Sequence, residues 1–157
     1  MISRNVYGFP FEGEISPEFA PYHDETEFEY ALDFAMPYDS PILAALKGII
    51  FGVQQGFEVG GSGKSLDSNF IIIEHENEEY TNYLHLQHRG SLVKVGQEVE
   101  TGEVIGYTGL SGYMTYPHLH FEVSRFDGDS LITVIPCFKD TKGISYLRSP
   151  IKKLKSM

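Results

Sequence analysis

The chain has 157 residues, of which 41% are hydrophobic, and a formal net charge of −10. This length fits one domain with a sizeable core. The acidic balance argues against a nucleic-acid partner, because that affinity comes largely from neutralising phosphates. No run approaches the roughly 20 apolar residues of a membrane span. With Cys137 as its one cysteine, the chain forms no intrachain disulfide.

The first 15 residues contain no apolar core of the signal-peptide type. The sequence as given therefore predicts no export signal. Beyond this segment, short apolar runs are separated by glycines, at residues 41–46, 48–54, 70–75 and 102–109. This spacing is typical of all-β sandwiches and barrels. We therefore expect an all-β fold.

Residues 29–37 place the acid Asp33 among apolar and aromatic neighbours. Buried carboxylates are usually paired or bound to a metal. His23 lies upstream of this segment. Further along, residues 80–86 alternate as a strand does, and the alternation predicts that Tyr83 and His85 share one face.

Residues 118–124 carry two histidines with one leucine between them. Leu119, Phe121 and Val123 alternate with His118, His120 and Glu122, which predicts a strand with three apolar side chains on its core face. The two imidazoles then project from the other face, with Cα atoms about 6–7 Å apart. This spacing suits a metal ligand beside an acid–base partner. The alternative is a pair of polar residues on a solvated strand face.

Together these segments offer imidazole and carboxylate ligands from four separate places, and a catalytic zinc site needs three protein ligands and an open position. The set resembles the lysostaphin-type zinc metallopeptidases, peptidase family M23. The likeness lies in an early His and Asp, a Tyr-x-His-Leu at residues 83–86 and a His-Leu-His-Phe-Glu at residues 118–122, with further matching stretches at 36–50 and 93–109. It covers roughly residues 20 to 124.

The resemblance implies a barrel-sandwich core of antiparallel sheets with a surface groove. It implies that His23, Asp33 and His120 hold Zn²⁺ and that His85 and His118 are catalytic residues off the metal. The implied activity is a zinc endopeptidase that cleaves peptide cross-bridges or stems of peptidoglycan, at the cell envelope or outside the cell. Loops at residues 56–68 and 109–116 are expected to wall the groove, the second with Tyr113 and Tyr116.

One departure from the family pattern concerns the first ligand. The commonest family spacing puts three residues between the ligand His and Asp33, whereas nine separate His23 from Asp33 and Glu29 stands at the usual His position. Members with a similar Tyr-Ala-x-Asp-Phe segment often have their His further upstream, which favours His23. Glu29 is the alternative ligand, since carboxylate oxygen also binds zinc.

Two other functions are weighed against the enzyme. The first is a catalytically inactive M23 fold used for binding or regulation, although all five site positions are filled here. The second is a lipoyl or biotinyl carrier domain, which residues 95–106 resemble. Lys94 precedes that run rather than standing at a hairpin tip, and a carrier leaves the histidines unexplained.

Residues 139–157 hold six Lys or Arg against one Asp. We therefore divide the chain into an M23-like domain at residues 1–138, which includes an N-terminal lead-in, and a basic C-terminal tail at residues 139–157. The expected partner is a peptide or peptidoglycan substrate. The sequence does not indicate an oligomeric state.

Overall fold

The computed structural model describes residues 1–13, 30–58, 68–111, 116–140, 143 and 145–147. These residues form eleven strands and a single 3₁₀ turn at Glu76–Glu78. The strands are β1 Ile2–Tyr7, β2 Leu32–Ala35, β3 Pro41–Leu43, β4 Gly48–Gln54, β5 Phe70–Glu74, β6 Glu79–Leu84, β7 Glu98–Val99, β8 Val104–Tyr107, β9 His118–Asp127, β10 Ser130–Lys139 and β11 Ser145–Leu147. The predicted all-β fold is confirmed.

Nine of the strands form one sheet, whose main path runs β1-β10-β9-β6-β5-β4-β7. Strand β2 adds to β9, and β11 adds to β10. The pairings are antiparallel apart from that of β1 with β10, which is parallel. Strands β3 and β8 form a separate two-stranded antiparallel sheet.

The ten-residue strand β9 organises the sheet. One of its edges pairs with β6 along most of its length. The other edge is shared, because β2 pairs with residues 118–121 and β10 pairs with residues 123–127. Residues from three parts of the chain therefore meet at the start of β9.

One hydrophobic core lies on one face of this sheet. The predicted core residues Leu119, Phe121 and Val123 are fully buried in it, which confirms the alternation read from the sequence. Their neighbours in the core include Tyr7, Leu32, Phe34, Ile42, Ile50, Ile71, Ile73, Tyr83, Ile105, Val134 and Phe138. The side chains of His118 and His120 project from the opposite face of β9.

A buried ion pair attaches β1 to the sheet. The Arg125 guanidinium lies 3.2 Å from the Glu79 carboxylate, and both side chains are nearly inaccessible. The same carboxylate accepts hydrogen bonds from three groups of β1, the backbone N–H groups of Arg4 and Asn5 and the hydroxyl of Tyr7. Burial and the neighbouring Glu79 charge raise the pKa of Tyr7, so its hydroxyl stays protonated and donates.

A second polar network lies within the core around His75. Its Nδ1 is 2.8 Å from the Lys47 carbonyl oxygen and its Nε2 is 2.8 Å from the Thr81 hydroxyl. The Tyr83 hydroxyl lies 3.1 Å from that of Thr81 and accepts the backbone N–H of Ala45 at 2.9 Å. Burial lowers the pKa of His75. This histidine is held neutral as part of the scaffold.

At the other end of the chain, β11 pairs with the last residues of β10. Cys137, on β10, is half-buried. The predicted boundary between residues 138 and 139 stays a prediction, and residues 148–157 of the basic tail lie outside the described part of the chain. Within the described residues, no helix has the length and hydropathy needed to cross a membrane.

Candidate active site

The pairing of β2 with β9 brings an acid against the histidine pair. Asp33 is directly opposite His120 in the register, and Ala35 is opposite His118. Because cross-strand partners share a face, the Asp33 carboxylate lies beside both imidazoles. Its Oδ1 is 3.4 Å from Nδ1 of His120 and 3.5 Å from Nε2 of His118.

These polar side chains do not form a solvated strand face. His118, His120 and Asp33 are only 6%, 5% and 8% exposed. Burying polar groups of this kind is unfavourable unless they are paired or bind a ligand. The alternative of two polar residues on an exposed strand is therefore wrong.

His85 joins this cluster by a route that strand alternation did not predict. Strand β6 ends at Leu84, and His85 adopts a positive φ of 68°. Tyr83 packs in the core against Phe121, whereas the His85 ring lies with its centroid 4.7 Å from that of His118. The prediction that Tyr83 and His85 share a face is wrong, because the left-handed backbone at His85 breaks the period-2 alternation.

The hydrogen bonds of His85 define its protonation state. Nδ1 lies 2.8 Å from the carbonyl oxygen of Ser111, and a carbonyl only accepts, so Nδ1 carries the proton and Nε2 the lone pair. Burial lowers the pKa of His85 to about 4, and the nearby imidazoles of His118 and His120 add to the effect. His85 is therefore a neutral imidazole near neutral pH.

His118 is oriented in the same manner. Its Nδ1 lies 2.8 Å from the carbonyl oxygen of Tyr116, which leaves Nε2 directed toward Asp33. The Tyr116 ring covers the imidazole, with centroids 4.7 Å apart. Tyr116 thus lies at the site, as expected for a groove wall, whereas Tyr113 falls outside the described residues.

His120 lies between two carboxylates. Nδ1 faces Asp33, and Nε2 is 3.5 Å from Oε1 of Glu122. Burial lowers the pKa of His120, but Asp33 and Glu122 outweigh it and raise the pKa to about 9. A neutral imidazole has one N–H for these two acids. The surroundings of His120 therefore favour a cation, either a proton or a metal ion.

The donor atoms suit zinc in chemistry and spacing. Imidazole nitrogen and carboxylate oxygen are zinc ligands at about 2.0–2.2 Å, so two ligands of a tetrahedral site lie about 3.4 Å apart. The separation of Asp33 Oδ1 from His120 Nδ1 is 3.4 Å. Across the described ranges, no three His, Cys, Asp or Glu side chains are grouped to hold a metal ion. His23 and Glu29, the two alternatives for a further ligand, are outside those ranges.

Several residues of the site had no predicted role. Glu122 was expected on the histidine face, but its contact with His120 Nε2 follows only from the side-chain positions. Ser68 and Ser111 bond to His85 through a hydroxyl and a carbonyl oxygen. Both serines lie in the loops expected to wall the groove, but their bonds to His85 join segments far apart in the chain and follow from no local pattern.

A cleft of about 230 Å³ adjoins the site on the side of Ser111. Its other lining residues include Tyr38, Phe57, Gln87, His88 and Leu110. Leu86, the residue after His85, also lines this cleft, whereas Asp33, His85, His118 and His120 do not.

Comparison with known proteins agrees with this geometry. The family model of peptidase family M23 matches residues 27–131, more than half of the chain. The chain is 36% identical over 105 residues to an uncharacterized metalloprotease of Buchnera aphidicola, covering 67% of this chain and 25% of the relative. It is 34% identical over 112 residues to lysostaphin of Staphylococcus staphylolyticus, covering 70% of this chain and 22% of that protein. The chain thus spans about a quarter or less of these relatives.

Among solved structures, the catalytic domain of lysostaphin from Staphylococcus simulans superposes with a TM-score of 0.54 at 28% identity, covering 82% of this chain and 84% of that one. A zinc-containing peptidase from Vibrio cholerae gives a TM-score of 0.55 at 28% identity, covering 82% of this chain and 39% of that one. The shared sheet, the order of the motifs and the family match lead to one assignment. The chain belongs to peptidase family M23.

Proposed function

We propose that this chain is a zinc-dependent endopeptidase that cleaves peptide cross-bridges or stems of peptidoglycan. The observation that carries the proposal is the buried meeting of Asp33, His85, His118 and His120, which come from β2, from the end of β6 and from β9. Family membership supports it, since a Vibrio cholerae relative, 39% identical over 90 residues, is named a peptidoglycan DD-endopeptidase.

In this proposal Asp33 and His120 hold the metal together with His23. The spacing of Oδ1 and Nδ1 supports the pair, and the carboxylate of Glu122 lies 3.5 Å from the remaining ring nitrogen of His120. When bound, zinc lowers the pKa of a coordinated water to about 7 and polarises a peptide carbonyl.

His85 and His118 handle protons. Each gives its Nδ1–H to a backbone carbonyl, which leaves Nε2 able to accept a proton from the attacking water. The same nitrogens, once protonated, can donate to the leaving amine or to the developing oxyanion. The edge-to-face contact of the two rings places both within the same small volume.

Relatives named as peptidoglycan endopeptidases support the proposed substrate and place of action. We propose that the protein works at the cell envelope or outside the cell. The cleft lined by Leu86 and Ser111, two residues next to His85 in sequence or by hydrogen bond, supplies aromatic and polar side chains for an extended peptide.

Amine release tests this function. The purified protein is incubated with peptidoglycan sacculi and with synthetic cross-bridge peptides, and new amino groups are counted. We expect release that 1,10-phenanthroline stops and that added zinc restores. New reducing sugar ends in place of amines would contradict the proposal, because glycoside cleavage relies on a pair of carboxylates. Zinc binding without cleavage of any wall peptide would indicate a binding or regulatory protein.

The choice of the further ligand has its own test. We expect His23→Ala to lose zinc and Glu29→Ala to retain it. The reverse pattern, read by metal analysis of the two purified variants, would move the ligand to Glu29.

A further inference from the structure

Asn69, the residue before β5, is fully buried although its side chain is polar. Its Nδ2 donates to the carbonyl oxygens of Phe57 at 2.7 Å and Leu86 at 3.2 Å, and its Oδ1 accepts the N–H of Phe57 at 2.9 Å. Its backbone carbonyl accepts the N–H of Leu86 at 3.2 Å. Asn69 thereby joins the end of one loop to the residue that follows His85.

Ser111 completes the connection from a third segment. Its hydroxyl accepts the backbone N–H of Asn69 at 3.0 Å and donates to the Leu86 carbonyl at 2.8 Å. The carbonyl of Ser111 is the group that accepts Nδ1–H of His85. The side-chain bonds of Ser111 therefore fix the position of its own carbonyl relative to the imidazole.

The backbone of His85 is fixed from the other side. Its N–H donates to the Ser68 hydroxyl at 2.8 Å, and its carbonyl accepts the N–H of Gly109 at 2.8 Å. Both bonds hold the residue at its positive φ. With the backbone held, the tautomer of the ring depends on which group meets Nδ1. The Ser68 hydroxyl lies 3.5 Å from Nδ1, but the Ser111 carbonyl is much nearer, at 2.8 Å, and only accepts.

We propose that Asn69 and Ser111 are positioning residues, which together hold the Ser111 carbonyl against His85 and keep this imidazole in the tautomer with its lone pair on Nε2. The inference rests on the proposed catalytic role of His85. Without the hydrogen bonds of Asn69 and Ser111, the Ser111 carbonyl can move away from His85. Nδ1 and Nε2 of the imidazole then compete for the proton. An imidazole with its proton on Nε2 cannot accept one at the nitrogen that faces the site.

Ser111→Ala is the preferred variant, since Asn69→Ala leaves several buried backbone groups without their partner and risks unfolding. The matched control is Thr108→Val. The Thr108 hydroxyl is also buried, and it likewise accepts one backbone N–H, from Ser40, and donates to one carbonyl, that of Pro37. It makes no bond to His85 or to Ser111.

The experiment reads the imidazole nitrogens by ¹⁵N NMR in zinc-loaded protein and the rate of amine release from a cross-bridge peptide. We expect wild type and Thr108→Val to hold His85 in the Nδ1–H form. Ser111→Ala should show a mixture of tautomers and a kcat lower by roughly 10-fold, with KM unchanged.

An Nε2–H tautomer in the wild type would overturn the inference, as would a Ser111→Ala variant whose tautomer and kcat match those of Thr108→Val. A failure of the proposed function is distinguishable, because it would appear as an absence of cleavage by the wild type. The tautomer of His85 is measured whether or not cleavage occurs.

Discussion

The two ends of β9 carry buried polar clusters that are built in different ways. Near the end of the strand, Arg125 meets Glu79. At its start, His118 and His120 meet Asp33. The Glu79 carboxylate is saturated by donors at 2.8–3.2 Å, from the backbone of Arg4 and Asn5, the hydroxyl of Tyr7 and the guanidinium of Arg125.

At the start of β9, acid and imidazole atoms are 3.4–3.5 Å apart. These separations exceed the roughly 2.7–2.9 Å of a charge-assisted hydrogen bond. The 3.4 Å between Asp33 Oδ1 and His120 Nδ1, the two proposed ligands, also matches the edge of a tetrahedral metal site. Burial of charge alone therefore does not mark a functional site. Spacing distinguishes the Glu79 cluster, whose acid is saturated by hydrogen bonds, from the Asp33 cluster, where we propose that a metal ion binds.

The buried histidines repeat the contrast. His75 uses both ring nitrogens within the core, on the Lys47 carbonyl and the Thr81 hydroxyl. His85 bonds Nδ1 to a backbone carbonyl and presents its ring to His118. Both have a lowered pKa because they are buried. A lowered pKa therefore does not separate the scaffold histidine from the site histidine. The hydrogen bonds do, because His75 uses both ring nitrogens and the bonds described for His85 are at Nδ1 alone.

The largest loss of activity is expected when His85 or His118, the two proposed proton-handling residues, is replaced. His85→Ala and His118→Ala should each lower the rate of amine release by roughly 10²–10⁴-fold, because each removes a general acid or base. Both variants should keep zinc, whereas His120→Ala should lose zinc and activity together. Release of the metal by His118→Ala would reverse the roles assigned to the two histidines of β9.

Removing the Glu79 charge from the cluster at the end of β9 should lower stability rather than activity. Glu79→Gln leaves the buried Arg125 charge uncompensated, and we expect the free energy of unfolding to fall by about 3–5 kcal/mol. Glu78→Gln is the matched control, since this neighbouring side chain is exposed and its ion pair with Arg4 spans 3.6 Å. Urea unfolding of both variants measures the difference. Equal stabilities would mean that the cluster does not hold β1 in the way described.

Replacing Glu122 tests whether a side chain that contacts a proposed ligand, but not the metal itself, affects zinc affinity. Glu122→Gln removes the negative charge that lies 3.5 Å from His120 Nε2, and zinc affinity should fall by about 10–100-fold. Competition with a zinc chelator gives the affinity. Glu74→Gln, an exposed acid on β5, serves as the control and should leave it unchanged. If zinc affinity changed by a similar factor in both variants, Glu122 would act only through the overall charge of the protein and not through its contact with His120.

The smallest effect is a change in pH dependence from His75. Its pKa in the folded state lies below the unfolded value of 6.5. The unfolded chain therefore binds more protons below pH 6.5, and stability should decrease as the pH falls from 6.5 toward the folded pKa. In metal-free protein, His75→Gln should lower this slope by up to about 1.4 kcal/mol per pH unit. Identical slopes would show that His75 titrates normally.

Part of this organisation could be read from the sequence. The alternation of β9 predicted both the core residues and the histidine face, because strand periodicity is local. The buried setting of Asp33 followed from its apolar neighbours. The face of the sheet on which His85 lies could not be predicted from strand alternation, because the positive φ of this non-glycine residue interrupts the alternation. The pairing of Glu79 with Arg125 joins positions 46 residues apart, and no local signal links them.

The metal content of the protein decides whether the two ends of β9 differ in the way proposed. Zinc analysis of protein purified without chelator tests whether the start of β9 is shaped for an ion while its end is closed. We predict one zinc per chain in the wild type and in the folded fraction of the Glu79→Gln variant. We predict none in the His120→Ala variant. A stoichiometry near zero in the wild type, with no uptake when zinc is titrated, would contradict both the proposed enzyme and the contrast between the two clusters.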